Sequence, residues 1–230
     1  MNTLFNLTNW RRIKKGPGTV NALLAMADPA ARRALRQAIQ RDIPASFAEV
    51  DSKKDLHHAV TFTEFDIIIA DSELGADVTF DLVEQIRFGR LHCHAFPIIV
   101  LMTEPNRDRV HQLVADCGAD VVMSARGAPD AISDHIARLT DQRRPFVVAP
   151  HYIGPERRAA ARENEPTAEQ VLVPNPLSAR AGAVSEDEYR RAISVATHNI
   201  SLMRRCLYSL RSVSSVPPRS AGETGKGLLV

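Results

Sequence analysis

Asp71 is the residue of this chain best placed to do chemistry. It closes the apolar run Ile67-Ile68-Ile69-Ala70, so its carboxylate is expected at the tip of a buried strand. In an open α/β sheet, ligand sites form outside the carboxyl ends of the strands. A carboxylate there can serve as a nucleophile or as a ligand to a hard divalent cation. Thr103 ends a second apolar run that starts at Pro97, which puts a hydroxyl at the same edge. Further on, Arg157 and Arg158 follow Gly154-Pro155. That order predicts a bend presenting two guanidiniums to a carboxylate or phosphate.

Other chemistry-bearing residues lack the spacing that their chemistry needs. His92-Cys93-His94 has metal-binding residue types without the paired spacing of a zinc site. Gly222 to Gly227 lacks the Walker spacing and its final Ser or Thr, and follows no strand. His198 lies mid-helix, off the apolar seam and without a phosphotransfer signature. These patterns predict a protein that is not an enzyme and holds no resident cofactor.

The elements that must position Asp71 alternate along residues 19–141. Ala22 to Ala27 is an apolar run, and Asp28-Pro29 then starts a helix, Asp28 as a cap and Pro29 in the first turn. Ala34, Leu35, Ala38 and Ile39 share one face of it. Phe47 to Val50 reads as a second strand. Ser52 with Asp55 resembles a capping box before Leu56, Ala59 and Val60. Asp66 to Ala70 is the third strand, followed by a helix over 78–88, and Pro97 to Thr103 is the fourth. A helix from Arg107 to Cys117 ends at Gly118. Val121 to Ser124 and a helix from Pro129 to Leu139 complete five βα units. Unbroken apolar strands between helices predict a parallel sheet covered on both faces, in the flavodoxin-like order 2-1-3-4-5.

Outside that α/β domain the composition changes. Residues 1–18 form a basic arm with four Lys and Arg and no acid. Residues 142–184 are a Pro-rich linker: six of the 14 prolines lie between Pro145 and Pro176, which predicts an extended, mobile connector. Residues 185–214 form a helix opened by Ser185 with Glu188 as a capping box. Along it, Tyr189, Ile193, Ala196, Ile200, Met203, Leu207 and Leu210 recur at heptad spacing. A lone helix is marginal in water, so the seam predicts self-association, as a homodimer, with folding back onto the domain as the alternative. Residues 215–230 read as a disordered tail.

Charge and cysteine usage bound the rest. The net charge of +2 divides into +4 over residues 1–18, −6 over 19–140 and +4 over 141–230. Basic arms around an acidic middle keep nucleic acid open as a partner. Three widely spaced cysteines argue for a reducing cytoplasm rather than a disulfide framework. The longest apolar run, Phe96 to Met102, is far short of the roughly 20 residues that span a bilayer.

With these residues placed, residues 20–140 resemble the receiver domain of two-component response regulators. Asp66-Ile67-Ile68-Ile69-Ala70-Asp71 is similar to that family's acceptor strand, and Gly118-Ala119-Asp120 to the turn before its fifth strand. The resemblance implies that Asp71 accepts a phosphoryl group and that Thr103 is the switch hydroxyl. It also implies a Mg2+ held by an acidic pair after the first strand and a lysine after the fifth. This chain departs at those positions. The acidic pair reads Met26 and Ala27, with Asp28 one step late; the lysine reads Ala125, followed by Arg126. The position of the family's aromatic switch partner reads Val122. Mg2+ binding is therefore expected to be weak. Tyr152-Ile153-Gly154-Pro155-Glu156-Arg157-Arg158 resembles a segment that follows receivers in some alphaproteobacterial regulators. The reading is a degenerate response regulator that docks a sensor kinase, phosphotransferase or other signalling protein. The competing reading is a nucleic-acid-binding regulator built on a pseudo-receiver.

Overall fold

The computed structural model describes residues 18–91, 94–103, 117–156 and 169–214, with side chains undescribed at 76–78, 169 and 208–214. The expected basic arm (apart from Gly18), all but the last residue of the helix expected from Arg107 to Cys117, the Arg157-Arg158 pair, His92-Cys93 and the tail from 215 lie outside the described residues.

The first layer is the expected α/β sheet. In chain order it comprises β1 (Val20–Ala25), α1 (Pro29–Asp42), β2 (Ala45–Val50), α2 (Lys53–Phe62), β3 (Ile67–Asp71), a 3-10 turn (Ser72–Leu74) and α3 (Ala76–Arg87). It continues with β4 (Ile98–Thr103), β5 (Val121–Ser124) and α4 (Pro129–Asp141). The strands pair in parallel in the order β2-β1-β3-β4-β5, the flavodoxin-like arrangement. β1, β3 and β4 are buried along their whole length. Successive side chains of a strand point to opposite faces, so these strands divide into two cores. Leu23, Ile68, Ala70, Ile99 and Leu101 meet Leu56, Val60, Val83 and Ile86 of α2 and α3. Ala22, Leu24, Ile67, Ile69, Ile98 and Val100 meet Leu35, Ile39, Ile132 and Ile136 of α1 and α4.

The helix starts follow local chemistry. The Ala30 amide donates to Asp28 Oδ1 (2.8 Å), with Pro29 in the first turn. The Asp55 amide donates to Ser52 Oγ (3.2 Å), and that hydroxyl donates to Asp55 Oδ2 (2.6 Å). Each such contact satisfies an amide that the helix itself leaves without a partner.

The described parts of the expected linker, residues 142–156 and 169–184, are not the extended connector expected from their prolines. They hold a second, antiparallel sheet of β6 (Phe146–Ala149), β7 (Tyr152–Pro155) and β8 (Glu169–Val171) in the order β7-β6-β8. A short helix, α5 (Pro176–Arg180), follows. The strands are three and four residues long, too short for a sequence period to show. The prolines sit where they cost little: Pro155 ends an edge strand, and Pro176 opens α5 behind the Asn175 cap. Gly154-Pro155 is accordingly strand, not bend.

The last helix, α6 (Glu186–Ser214), runs 29 residues. Its heptad seam is real, but its partner is this same chain. Tyr189, Ala196 and Ile200 are buried, and Ile193, Met203 and Leu207 pack on a cluster of Phe88, Phe96, Phe146, Val148, Ile153 and Val171. The Leu210 side chain lies outside those described. Each fully buried Ile or Phe contributes about 1.5–3 kcal/mol, so the unforeseen sheet supplies the apolar cover that a second copy was expected to give. The seam thus takes the course that the sequence left open as the alternative to self-association, packing onto its own chain.

Two arginines and two glycines fix the second layer to the first. Arg87, fully buried at the end of α3, donates to the carbonyls of Ala95, Pro97 and Gly118 and to Asp120 Oδ2 (2.6 Å). Arg143 reaches the same carboxylate (3.1 Å) and the carbonyls of Phe96, Pro97 and Pro174. Both guanidiniums lie over the Phe146 ring, at 4.9 and 5.1 Å. Burial pulls the Arg87 guanidinium down to about 10 against the opposing pull of Asp120, so it stays charged at neutral pH. Gly118 and Gly154 meet backbone to backbone: a Cβ on Gly154 would lie 2.5 Å from Gly118 Cα, and one on Gly118 2.5 Å from the Ile153 carbonyl oxygen.

Two stability predictions follow from these contacts. Asp120→Asn leaves two buried guanidiniums without their anion and should lower unfolding stability by about 3–5 kcal/mol in chemical denaturation. Tyr189→Phe should leave stability unchanged or raise the melting temperature, because the buried Tyr189 hydroxyl has no hydrogen-bond partner among the described residues. A fall in melting temperature would show that the hydroxyl is satisfied in solution.

Candidate functional site

The candidate site lies at the carboxyl edge of the parallel sheet. β3 ends in Asp71, which is buried and has extended backbone angles. Its Oδ1 accepts the Glu73 amide at 2.9 Å, so the carboxylate caps the Ser72–Leu74 turn instead of entering the apolar interior. Thr103 ends β4. In the parallel register Asp71 stands opposite Met102, so Thr103 lies one residue beyond it. The Thr103 hydroxyl is buried and has no hydrogen-bond partner among the described residues. Leaving such a group unpaired costs about 1–3 kcal/mol. The sheet thus brings the Asp71 carboxylate and the Thr103 hydroxyl to the same edge.

The groups around them are of a different kind. Ala25 pairs with Ala70, so Met26 is the next residue along β1, level with Asp71. Met26 and Met102 both belong to the apolar cluster against α1 and α4. Ala27 is exposed. Asp28 is exposed as well, and its carboxylate is committed to the Ala30 amide. Arg32 NH1 donates to the Met26 carbonyl, and Arg32 Nε stands 3.6 Å from Glu49. On the other side, Ala125 is half-buried among apolar groups and its amide bonds the Thr103 carbonyl (2.9 Å). Arg126 is exposed at the β5 end, where its amide donates to Ser124 Oγ (3.3 Å).

Mg2+ takes near-octahedral oxygen coordination, commonly through one or two carboxylates and water. Here a thioether and a methyl stand at the positions of the acidic pair, and no three acidic, His or Cys side chains converge among the described residues. The donor set of the described residues does not fit the ion. What the described residues leave at this edge is the Asp71 carboxylate with the Thr103 hydroxyl one residue beyond it in register.

One cation at this edge escaped sequence reading. Lys53, first in α2, lays its side chain against Gly75: a Cβ built on Gly75 would lie 2.0 Å from Lys53 Cε and 2.3 Å from Nζ. Only the folded order of strands brings the end of β2 near the end of β3, so spacing along the chain gives no hint of it. A second missed feature is the buried Asp66, which accepts the Asn21 amide (2.8 Å) and two bonds from Arg180 (both 3.1 Å). Burial alone would lower the Arg180 guanidinium, but its bonds to Asp66 and Glu186 outweigh that and raise it. This pair lies at the opposite end of β3 and serves to seat α5 and α6. His198 is exposed on α6, in keeping with a surface role.

The missing metal ligands generate a direct prediction. Met26→Asp combined with Ala27→Asp should create measurable Mg2+ binding by isothermal calorimetry where the parent chain gives none. Equal heats for both would show that Asp71 alone suffices. No protein-family model matches the chain and no curated protein matches it. Solved structures do resemble it over about half its length. One is the chemotaxis response regulator CheY4 of Vibrio cholerae, 16% identical, with 53% of this chain aligned to 98% of that one at a TM-score of 0.46. Another is the REC domain of RcsB from Salmonella enterica, 17% identical, with 54% aligned to 91% at 0.45. A third is the response regulator DrrB, a Thermotoga maritima OmpR/PhoB homolog, 13% identical at 0.45; there 53% of this chain spans about half, 52%, of that protein.

Proposed function

We propose that this chain is a degenerate response regulator of bacterial two-component signalling, acting in the cytoplasm through protein–protein contacts and not as an enzyme. Its partner is a sensor kinase, a phosphotransferase or another signalling protein. Asp71 accepts a phosphoryl group slowly, and Thr103 reads the change. The observation that carries this reading is Asp71 at the carboxyl end of the third strand in a 2-1-3-4-5 parallel sheet, one residue short of a buried Thr103 hydroxyl that has no hydrogen-bond partner among the described residues. Met26 and Ala27 beside it account for the slowness, since no carboxylate there can hold a divalent cation.

The nucleic-acid reading draws no support from the last helix. Arg190 pairs with Glu186, Arg191 bonds the Asp187 carbonyl, and Arg204 lies over the Phe88 ring and bonds its carbonyl. The Arg190 and Arg191 bonds lie within the helix, and Arg204 ties it to the end of α3.

Labelling with acetyl phosphate tests the proposal. The full chain should incorporate phosphate slowly, and Asp71→Asn should abolish it. No label on the parent chain would reduce the α/β layer to a docking surface. Steeply salt-dependent binding to nucleic acid would favour the competing reading instead.

A further inference from the structure

We propose that Lys53 supplies the positive charge facing a phosphoryl group on Asp71, in place of the absent lysine after β5; this rests on the reading of Asp71 as an acceptor. A carboxylate oxygen of Asp71 attacks the phosphorus of an acyl-phosphate or phosphohistidine donor. The new P–O bond forms as the donor's bond to phosphorus breaks. The departing oxygen or nitrogen keeps the electron pair and leaves as a carboxylate, or, with a proton taken from water at the other ring nitrogen, as a neutral imidazole. The product is an aspartyl phosphate dianion, which needs an opposing charge.

Four observations place Lys53 there. Its aliphatic arm crosses from the head of α2 to lie against the backbone of Gly75. Gly75 closes the Ser72–Leu74 turn, its amide donating to the Ser72 carbonyl (2.9 Å), and Asp71 Oδ1 caps that same turn. The lysine therefore rests on the few residues that hold the acceptor carboxylate. Second, Gly75 has a φ of +120°, which favours glycine, and the missing Cβ leaves the space that Lys53 Cε fills. Third, Lys53 forms no ion pair among the described residues, whereas Arg32, Arg36, Arg41, Arg87, Arg143 and Arg180 each have a carboxylate. Fourth, its charge sits beside the amino end of α3, whose dipole is also positive. Two positive ends converge, an arrangement that an anion between them relieves. At the opposite side of the site Ala125 offers no charge, and Arg126 stands at the end of β5, two strands away from β3.

The test uses acetyl phosphate labelling of the full chain, with Lys53→Gln, Lys53→Arg and Asp71→Asn beside the parent and a melting curve for each. Lys53→Gln should cut incorporation about tenfold, the effect of one charge on a dianion near a protein surface. Lys53→Arg should retain most of it, and Asp71→Asn none. Equal labelling of Lys53→Gln and the parent overturns the role of Lys53 while leaving Asp71 as acceptor. If the parent takes no label, the acceptor reading fails. Inorganic phosphate is then titrated against the Gly75 amide resonance. A shift in the parent that Lys53→Gln abolishes sustains an anion site at Lys53, and no shift in the parent overturns it.

Discussion

The carboxylate of Asp120 receives two guanidiniums, and the arrangement of both layers depends on it. Asp120 sits in the turn between Gly118 and β5, so it belongs to the parallel sheet, and its Oδ2 also accepts the Ile99 amide of β4 (2.9 Å). Arg87 comes from the end of α3, and Arg143 from the segment that leads into the second sheet. One anion between two cations would leave an excess positive charge in a dry interior, which is costly unless hydrogen bonds compensate. Here they do: carbonyls of Ala95, Phe96, Pro97, Gly118 and Pro174 surround the two arginines. The Phe146 ring adds its face to both. Those carbonyls belong to the approach to β4, the approach to β5 and the approach to α5. The polar network therefore sets where three chain segments run before any apolar packing is considered.

Much of the α/β layer was legible because its signals are local and redundant. Asp28, Ser52 and Pro129 mark helix starts, and Ile67 to Ala70 and Ile98 to Met102 are apolar without interruption. Asp71 and Thr103 could be placed by strand ends alone. The second sheet was hidden for the opposite reason. Four residues of β6 and four of β7 are too few to show alternation, and their burial on both sides removes the polar phase that would mark a strand. The seam of α6 was read with its correct period, but a period does not say which surface answers it; Phe146, Val148 and Ile153 lay in a stretch taken for a linker. Arg87, Arg143 and Lys53 look like any surface cation in the sequence, and only the fold separates the two that are buried from the one that is not.

At the carboxyl edge the same residues that weaken metal chemistry strengthen the core. Met26 and Met102 flank Asp71 and extend the cluster formed with Leu24, Leu35 and Ile69. Thioethers fill irregular space well, so the end of the sheet is closed by packing where charged ligands would need water. Asp71 caps its own turn, and the Lys53 side chain reaches from α2 to the Gly75 that closes that turn. Core packing and metal coordination make opposite demands on these few positions, and the side chains present favour the first.

The touching backbones of Gly118 and Gly154 impose a rule on how this sequence can vary. No side chain mediates that contact, so neither position can drift through gradual changes in size, as an apolar pair does. Gly118 also holds a φ of +87°, which narrows its alternatives further. Descendants of this chain should keep both glycines together or lose both along with the antiparallel layer, making the two sites a paired signature of inheritance.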